Sequence, residues 1–247
     1  MDTDALDDRI AFVTGATSGI GRAAALRLAD AGAHVALASR REDRLEAVAD
    51  EIRTEHGREA LVLPTDVREP EQVRSAVTET ADTFGGIDVV VANAGLGVDK
   101  DVESLSIEEY ELMTDVNVNG MFYTAKAALP HLKASSGNLV FLGSFSGQHP
   151  RPYNPVYAAT KWWTRGFALS LEGAVGDDGV AVSVVNPTEV RTEFGSETDD
   201  PLKERFDPGE VTEPEDVAEA IAFAATQRPP NTVSELNLYR RDKFSHF

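Results

Sequence analysis

The chain has 247 residues, enough for one α/β domain with a sizeable core or at most two small domains. Its formal net charge of −19, from 42 acidic against 23 basic residues, argues against nucleic acid and anionic membranes as partners. With Cys 0, disulfides, thiolate metal sites and thiol nucleophiles are excluded, and a composition of 42% hydrophobic and 26% charged residues is that of a globular protein.

Ile10 to Thr14 is a short apolar run that predicts a strand, and it ends in the turn Gly15-Ala16-Thr17-Ser18-Gly19-Ile20-Gly21. A helical stretch from Arg22 to Ala31 follows directly. Strand, glycine turn and helix in that order aim free backbone N–H groups and the positive end of a helix at one point, which can hold a pyrophosphate. The spacing is G-x-x-x-G-x-G, and simple turn chemistry is the alternative.

His34 to Ser39 predicts a second strand, followed by Arg40 and Arg41. An acid at this place would pair with the ribose 2′-hydroxyl of NAD, whereas a guanidinium pairs with a 2′-phosphate. Ser39-Arg40-Arg41 therefore predicts NADP, unless both arginines merely open the exposed helix at 42–52. A third strand at 60–64 carries Asp66 and Val67 just beyond its end, and a helix is expected at 71–84. The apolar run Ile87 to Ala92 predicts a strand buried on both faces, ending at Asn93-Ala94-Gly95. Strands alternating with helices at this rhythm predict an α/β, Rossmann-like, doubly wound parallel sheet with its site at the strand carboxyl ends.

A long helix is expected at 106–132, with Asn117 inside it, where a polar amide usually faces solvent or makes a local bond. Residues 138–144 predict the next strand, with Ser144 at its end. A loop holding Pro150, Pro152 and Pro155 then leads to Tyr157-Ala158-Ala159-Thr160-Lys161. Helical spacing sets this phenol and amine on one face, where the ammonium would favour the phenolate and lower the tyrosine pKa. A partly buried Tyr beside a solvated Lys is the plainer reading of the pair alone. A strand at 180–185 closes on Asn186-Pro187-Thr188, and the polar segment 189–211 predicts a mobile substrate lid. A helix near 214–226 and a short strand near 233–238 end the pattern.

In this order, Thr14-Gly15-x-x-x-Gly19-Ile20-Gly21, Asp66, Asn93-Ala94-Gly95, Asn117, Ser144 and Tyr157-x-x-x-Lys161 resemble the short-chain dehydrogenase/reductase family over essentially the whole chain. The resemblance implies a single domain, 1–247, with about seven strands and helices on both faces. It implies a catalytic tetrad of Asn117, Ser144, Tyr157 and Lys161. Ser144 would hold the substrate oxygen, Tyr157 would exchange a proton with it, and Lys161 would grip the nicotinamide ribose. Asn117, through its helix backbone, would fix a water beside Lys161. Asp66 and Val67 would touch the adenine, and the glycine turn with Thr17, Ser18 and Ile20 would hold the phosphates. Asn93, Ala94 and Gly95 would pass beside the cofactor, while Pro187, Thr188, Val190 and Thr192 would cover the nicotinamide. No metal is implied.

The expected activity is that of an NADP(H)-dependent oxidoreductase interconverting an alcohol and a carbonyl. A 3-oxoacyl-thioester reductase, a sugar or polyol dehydrogenase, and a non-catalytic NADP-sensing protein are the alternatives. Leu96, Phe145, Gln148, Tyr153, Thr188 and Phe194 are candidate substrate contacts. The family packs as tetramers or dimers, here expected through helices around 104–130 and 157–173. Thr188, where the family usually has glycine, would stiffen the entrance to the lid. The absence of a long apolar run and of a secretory signal pattern predicts a cytoplasmic protein. Acidic residues spread along the chain, as in Glu42-Asp43 and Asp177-Asp178, predict a salt-loving host.

Overall fold

The structure, a computed structural model, describes residues 5–195 and 200–245. Seven short apolar segments form one sheet: β1 (Ile10–Thr14), β2 (His34–Ser39), β3 (Ala60–Pro64), β4 (Val89–Ala92), β5 (Asn138–Leu142), β6 (Ala181–Pro187) and β7 (Glu235–Leu238). All pair in parallel, in the order β3-β2-β1-β4-β5-β6-β7, as the alternating sequence pattern predicts. Because a strand turns successive side chains to opposite faces, Ala11 and Val13 of β1 join one apolar cluster and Phe12 joins the other.

Helices α1 (Gly19–Asp30), α2 (Glu42–Glu51) and α8 (Pro214–Ala225) are defined on the first side, where α1 and α8 supply Ala24, Leu28, Val217 and Ile221 to the core. Helices α3 (Pro70–Phe84), α5 (Gly120–Ser135) and α6 (Pro155–Val175) supply Val77, Met121, Leu132 and Ala168 to the second. Burial on both faces explains why the central strands lack polar alternation. None of the helices among the described residues is long and apolar enough to cross a membrane.

The helix expected at 106–132 is divided. Helix α4 (Ile107–Thr114) gives way to a wider, π-helical turn at Asp115–Asn119, where the Gly120 N–H reaches back five residues to the Asp115 carbonyl, and α5 follows. The extra residue per turn rotates Asn117 inward, to zero exposure, instead of leaving it at the surface. A similar turn at Ile52–His56 extends α2 beyond the expected end. The 138–144 strand stops at Leu142, because the Ser144 side chain starts a short 3-10 turn by accepting from the Ser146 N–H. Strand β6 instead runs on through Asn186 and Pro187. Within the expected lid, residues 196–199 lie outside the described residues; the rest includes the short helix α7 (Leu202–Arg205) and a bridge between Val190 and Thr212.

Candidate active site

The sheet order reverses direction at β1 and β4, and there the loops leaving the two strands part to open a cleft. It holds a cavity of about 750 Å³. Its nucleotide-like end is the β1–α1 turn. Gly15 has φ +68°, and a Cβ on Gly21 would stand 2.2 Å from the Gly15 carbonyl oxygen, so the helix starts close against the turn only without a side chain there. Asn93 clamps the turn from β4: its N–H donates to Thr14 Oγ1 at 3.0 Å and its Nδ2 donates to the Thr14 carbonyl at 2.8 Å. Helix α1 carries no acid in its first turn, and the Ser18 side chain makes no capping bond. The free N–H groups and the positive helix end thus face the cavity unanswered by the chain's own carboxylates, which suits a bound phosphate.

Arg41 lies across the same turn, with one terminal nitrogen donating to Thr17 Oγ1 at 2.9 Å and Ser18 Oγ at 3.4 Å. Thr17 Oγ1 is 3.3 Å from Ser39 Oγ. Further along, Asp66 is gripped by Arg68, whose Nε is 3.0 Å from both carboxylate oxygens. That pairing, partly opposed by burial, holds the Asp66 carboxyl below its usual range, so it stays an ionised acceptor. Gly15, Thr17, Ser18, Gly19, Ile20, Gly21, Ser39, Arg40, Arg41, Asp66, Val67, Asn93, Ala94, Gly95, Pro187, Thr188, Val190 and Thr192 all line this one cavity.

Ser144, Tyr157 and Lys161 line its other end. Tyr157 and Lys161 share a face of α6, and Lys161 is 3% exposed, with Nζ donating to the Leu142 carbonyl at 2.9 Å. Burial pushes the Lys161 ammonium down to about 8. Tyr157 behaves opposite to the expectation from its spacing to Lys161. Dense surroundings push its phenol up to about 12, with a hydrogen bond from Ser144 opposing, Asp99 adding to the rise and Arg151 lowering it. Lys161 Nζ gives its hydrogen bond to the Leu142 carbonyl and lies 5.9 Å from the Tyr157 ring centroid, so burial of the phenol outweighs the help of the ammonium. The Phe194 ring packs against the phenol at a tilt of 60°, its centroid 5.6 Å from that of Tyr157.

Asn117 does not line the cavity; it supports its wall. Its side chain closes a two-way clamp on Leu96, accepting from the N–H at 2.9 Å and donating to the carbonyl at 2.8 Å, and it donates to Thr160 Oγ1 at 3.1 Å. Its amide oxygen and Lys161 Nζ both lie beside Gly95, 3.4 and 3.6 Å from where a Cβ would be. The Asn117 side chain thus ties the segment at Leu96 to α6.

Leu96, Phe145, Tyr153, Thr188 and Phe194 line the cavity as expected of substrate contacts, but Gln148 does not. Its amide is drawn away by Glu235 Oε1 at 2.9 Å and Asn237 Oδ1 at 3.0 Å, and by the Tyr239 hydroxyl. These residues form a polar network behind the active loop. Asn186, fully buried, accepts from the Ser144 N–H at 3.2 Å and donates to Glu235 at 3.1 Å, while Arg165 makes two bonds to Glu235 at 2.7 and 2.8 Å. The network was not visible in the sequence, because its members come from β6, α6, β7 and the loop after β5. Lys243 was missed too: the C-terminal segment carries it back to the cavity, where it pairs with Glu189 and lies 4.7 Å from the Phe145 ring centroid.

Residues 9–203 match the sequence pattern of the short chain dehydrogenase family. An uncharacterised oxidoreductase of Staphylococcus aureus strain MRSA252 is 36% identical over 234 residues, covering 94% of this chain and 97% of that protein. Among solved structures, the alcohol dehydrogenase from the archaeon Thermococcus sibiricus complexed with 5-hydroxy-NADP superposes with a TM-score of 0.86 at 35% identity, covering 93% of this chain and 95% of that one. The 3-ketoacyl-(acyl-carrier-protein) reductase from Brucella melitensis complexed with NADH gives 0.83 at 28% identity, over 95% and 98% of the two chains. A family pattern spanning most of the sequence, with a relative this similar along nearly its full length, makes this chain a member of the short-chain dehydrogenase family of oxidoreductases.

Proposed function

We propose that this chain is an NADP(H)-dependent oxidoreductase that interconverts an alcohol and a carbonyl compound. The observation that carries this reading is the single cavity that joins a phosphate cradle at one end to Ser144, Tyr157 and Lys161 at the other. When bound in it, NADPH would supply the hydride to the carbonyl carbon, and NADP would accept it in the reverse direction.

Ser144 holds the carbonyl oxygen with its hydroxyl, and Tyr157 gives its proton to the same oxygen as the carbon is reduced. In oxidation the phenolate takes the proton from the alcohol. A phenol pushed up to about 12 is protonated at neutral pH and so stands ready as the acid for reduction. Lys161 contributes a positive charge one helical turn away and a grip on the nicotinamide ribose. Asn117 holds the Leu96 wall and the approach to Lys161. Asp66 and Val67 receive the adenine, Asn93 to Gly95 flank the cofactor, and Pro187, Thr188, Val190 and Thr192 cover the nicotinamide. The remainder of 189–211 serves as the lid.

Because the solved relatives include one with an NADP derivative and one with NADH, the preference rests on this chain's own residues. Ser39 would set no carboxylate against a 2′-phosphate, and Arg41, bonded to the Thr17 and Ser18 hydroxyls, would offer it a guanidinium. The exposed Ile107, Tyr110, Phe122 and Trp162 on α4, α5 and α6 support a homodimer or homotetramer packed through those helices, measurable by light scattering. The spread of negative charge along the chain supports a salt-loving host.

The test is a screen of alcohols, sugars, hydroxy acids and 3-oxoacyl thioesters, followed by the absorbance of NADPH in high salt. Turnover with at least one carbonyl or alcohol supports the reading. Cofactor binding without any turnover supports a nucleotide-sensing role instead.

A further inference from the structure

Among the described residues, the charges lining the cavity do not pair off at its substrate end. Each lining carboxylate has a cation of its own: Asp66 has Arg68, Asp99 has Arg205 at 3.8 Å, Glu189 has Lys243, and Glu193 has Arg44 and Lys203 at 3.1 and 3.2 Å. Arg151 has no carboxylate among the described residues. Its guanidinium carbon lies 4.8 Å from the Tyr153 ring centroid and 5.4 Å from that of Phe145, and its Nε is buried with no hydrogen-bond partner.

Two aromatic rings fix a guanidinium in place without neutralising it. A buried donor with nothing to bond costs free energy that a suitable ligand recovers. Arg151 lines the cavity together with Tyr157, Tyr153 and Phe194, and it is close enough to Tyr157 for its charge to act on the phenol. The acid that could oppose an incoming anion, Asp99, is occupied, taking a bond from Asn154 Nδ2 at 2.6 Å and facing Arg205. On a chain with net charge −19, capture of an anion has to be this local.

We propose that the substrate is an oxo acid or the corresponding hydroxy acid, and that Arg151 receives its carboxylate while Ser144 and Tyr157 hold the carbonyl oxygen; this rests on the oxidoreductase reading above. The guanidinium presents paired N–H donors to a carboxylate, a geometry that a neutral ketone or ester cannot use.

Pyruvate, acetoacetate and levulinate place the carboxylate next to the carbonyl, one methylene away and two away, and each is compared with its methyl ester using NADPH. The best acid is expected to exceed its ester by roughly 10–100-fold in kcat/KM, the factor expected for a charge-assisted hydrogen bond. Arg151→Gln collapses that ratio to about 1, mainly through the KM of the acid, with an unchanged thermal midpoint showing that the fold persists. Calorimetric titration with levulinate gives a readout independent of turnover: saturable binding to the wild type, weakened by the same factor in Arg151→Gln. An ester used as well as its acid, a ratio that survives Arg151→Gln, or levulinate binding that ignores the substitution overturns the assignment and leaves the oxidoreductase reading in place. Levulinate binding that depends on Arg151, with no turnover of any carbonyl compound, overturns the oxidoreductase reading and leaves the anion site standing.

Discussion

Lys161 Nζ stands 5.9 Å from the centre of the Tyr157 ring and gives its hydrogen bond to the Leu142 carbonyl, so the end of β5 holds the buried ammonium beside the phenol. Burial brings this lysine down to about 8, against about 10.4 for a lysine in the unfolded chain. Between those values the unfolded chain keeps a proton that the folded chain has released, so stability rises with pH across that window. At pH 7 both states are charged and the whole cost of burying the charge is present. Lys161→Met is therefore expected to stabilise the protein at pH 7 by about 2–3 kcal/mol, after the lost bond to Leu142, while removing activity. Thermal midpoints measured from pH 7 to 10.5 (about the model lysine pKa) check it: the gain should shrink as pH rises.

On the proposed NADP preference, Arg41, which Thr17 and Ser18 hold at the mouth of the glycine turn, would meet the 2′-phosphate. Arg41→Ala should weaken NADP by roughly 10–100-fold in kcat/KM, the effect of a charge-assisted hydrogen bond, with NAD little affected. Equal losses with both cofactors would mean that Arg41 serves the turn and not the phosphate. Arg40→Ala, measured alongside, separates the shares of the two arginines.

Asn186 fixes the position of Ser144 through its backbone N–H and is itself fixed by Glu235. Asn186→Ala leaves the Ser144 N–H and a Glu235 lone pair without partners, at about 1–3 kcal/mol. For a chain of this length that corresponds to a midpoint lowered by about 2–4 °C per kcal/mol. Loosening of Ser144 should appear in kcat, with the NADP dissociation constant unchanged. Glu235 is held below its usual range chiefly by Arg165, so its stabilising share is present above the unfolded-state value and is lost as pH falls through the folded one. Glu235→Gln should flatten the acid limb of the stability profile.

Forty-two acids against 23 bases repel one another most in dilute buffer. The thermal midpoint should therefore rise from dilute buffer toward molar potassium chloride, as screening shortens the reach of that repulsion. A midpoint highest at low salt would remove the case for a salt-loving host.

Much of this site is local in sequence and was legible there. The β1–α1 turn, the Asn93 clamp position, Ser144 at a strand end and the Tyr157–Lys161 spacing each depend on residues within one short segment and its strand, and each of these residues lines the cavity. The parallel order of the strands followed from their apolar runs and the helices between them. What escaped depends on contacts between distant segments. The π-helical turn buries Asn117, whose amide finds its partner in Leu96, twenty-one positions away. Gln148 is pulled from the cavity by Glu235, and Lys243 returns to it from the end of the chain. The direction of the Tyr157 pKa was misjudged for a related reason: spacing along α6 gives the separation of two side chains but not the burial around the phenol or the Leu142 carbonyl that engages the lysine.

On the proposed reading, Tyr157 gives its proton to a carbonyl oxygen beside a bound nicotinamide. Tyr157→Phe keeps the ring that packs against Phe194 and removes only the hydroxyl. Single-turnover reduction of a substrate found in the screen should fall by at least about 10²-fold in this variant, the scale of a lost general acid, while NADPH titrated by fluorescence binds as tightly as before. Reduction at the wild-type rate with cofactor bound would contradict the account.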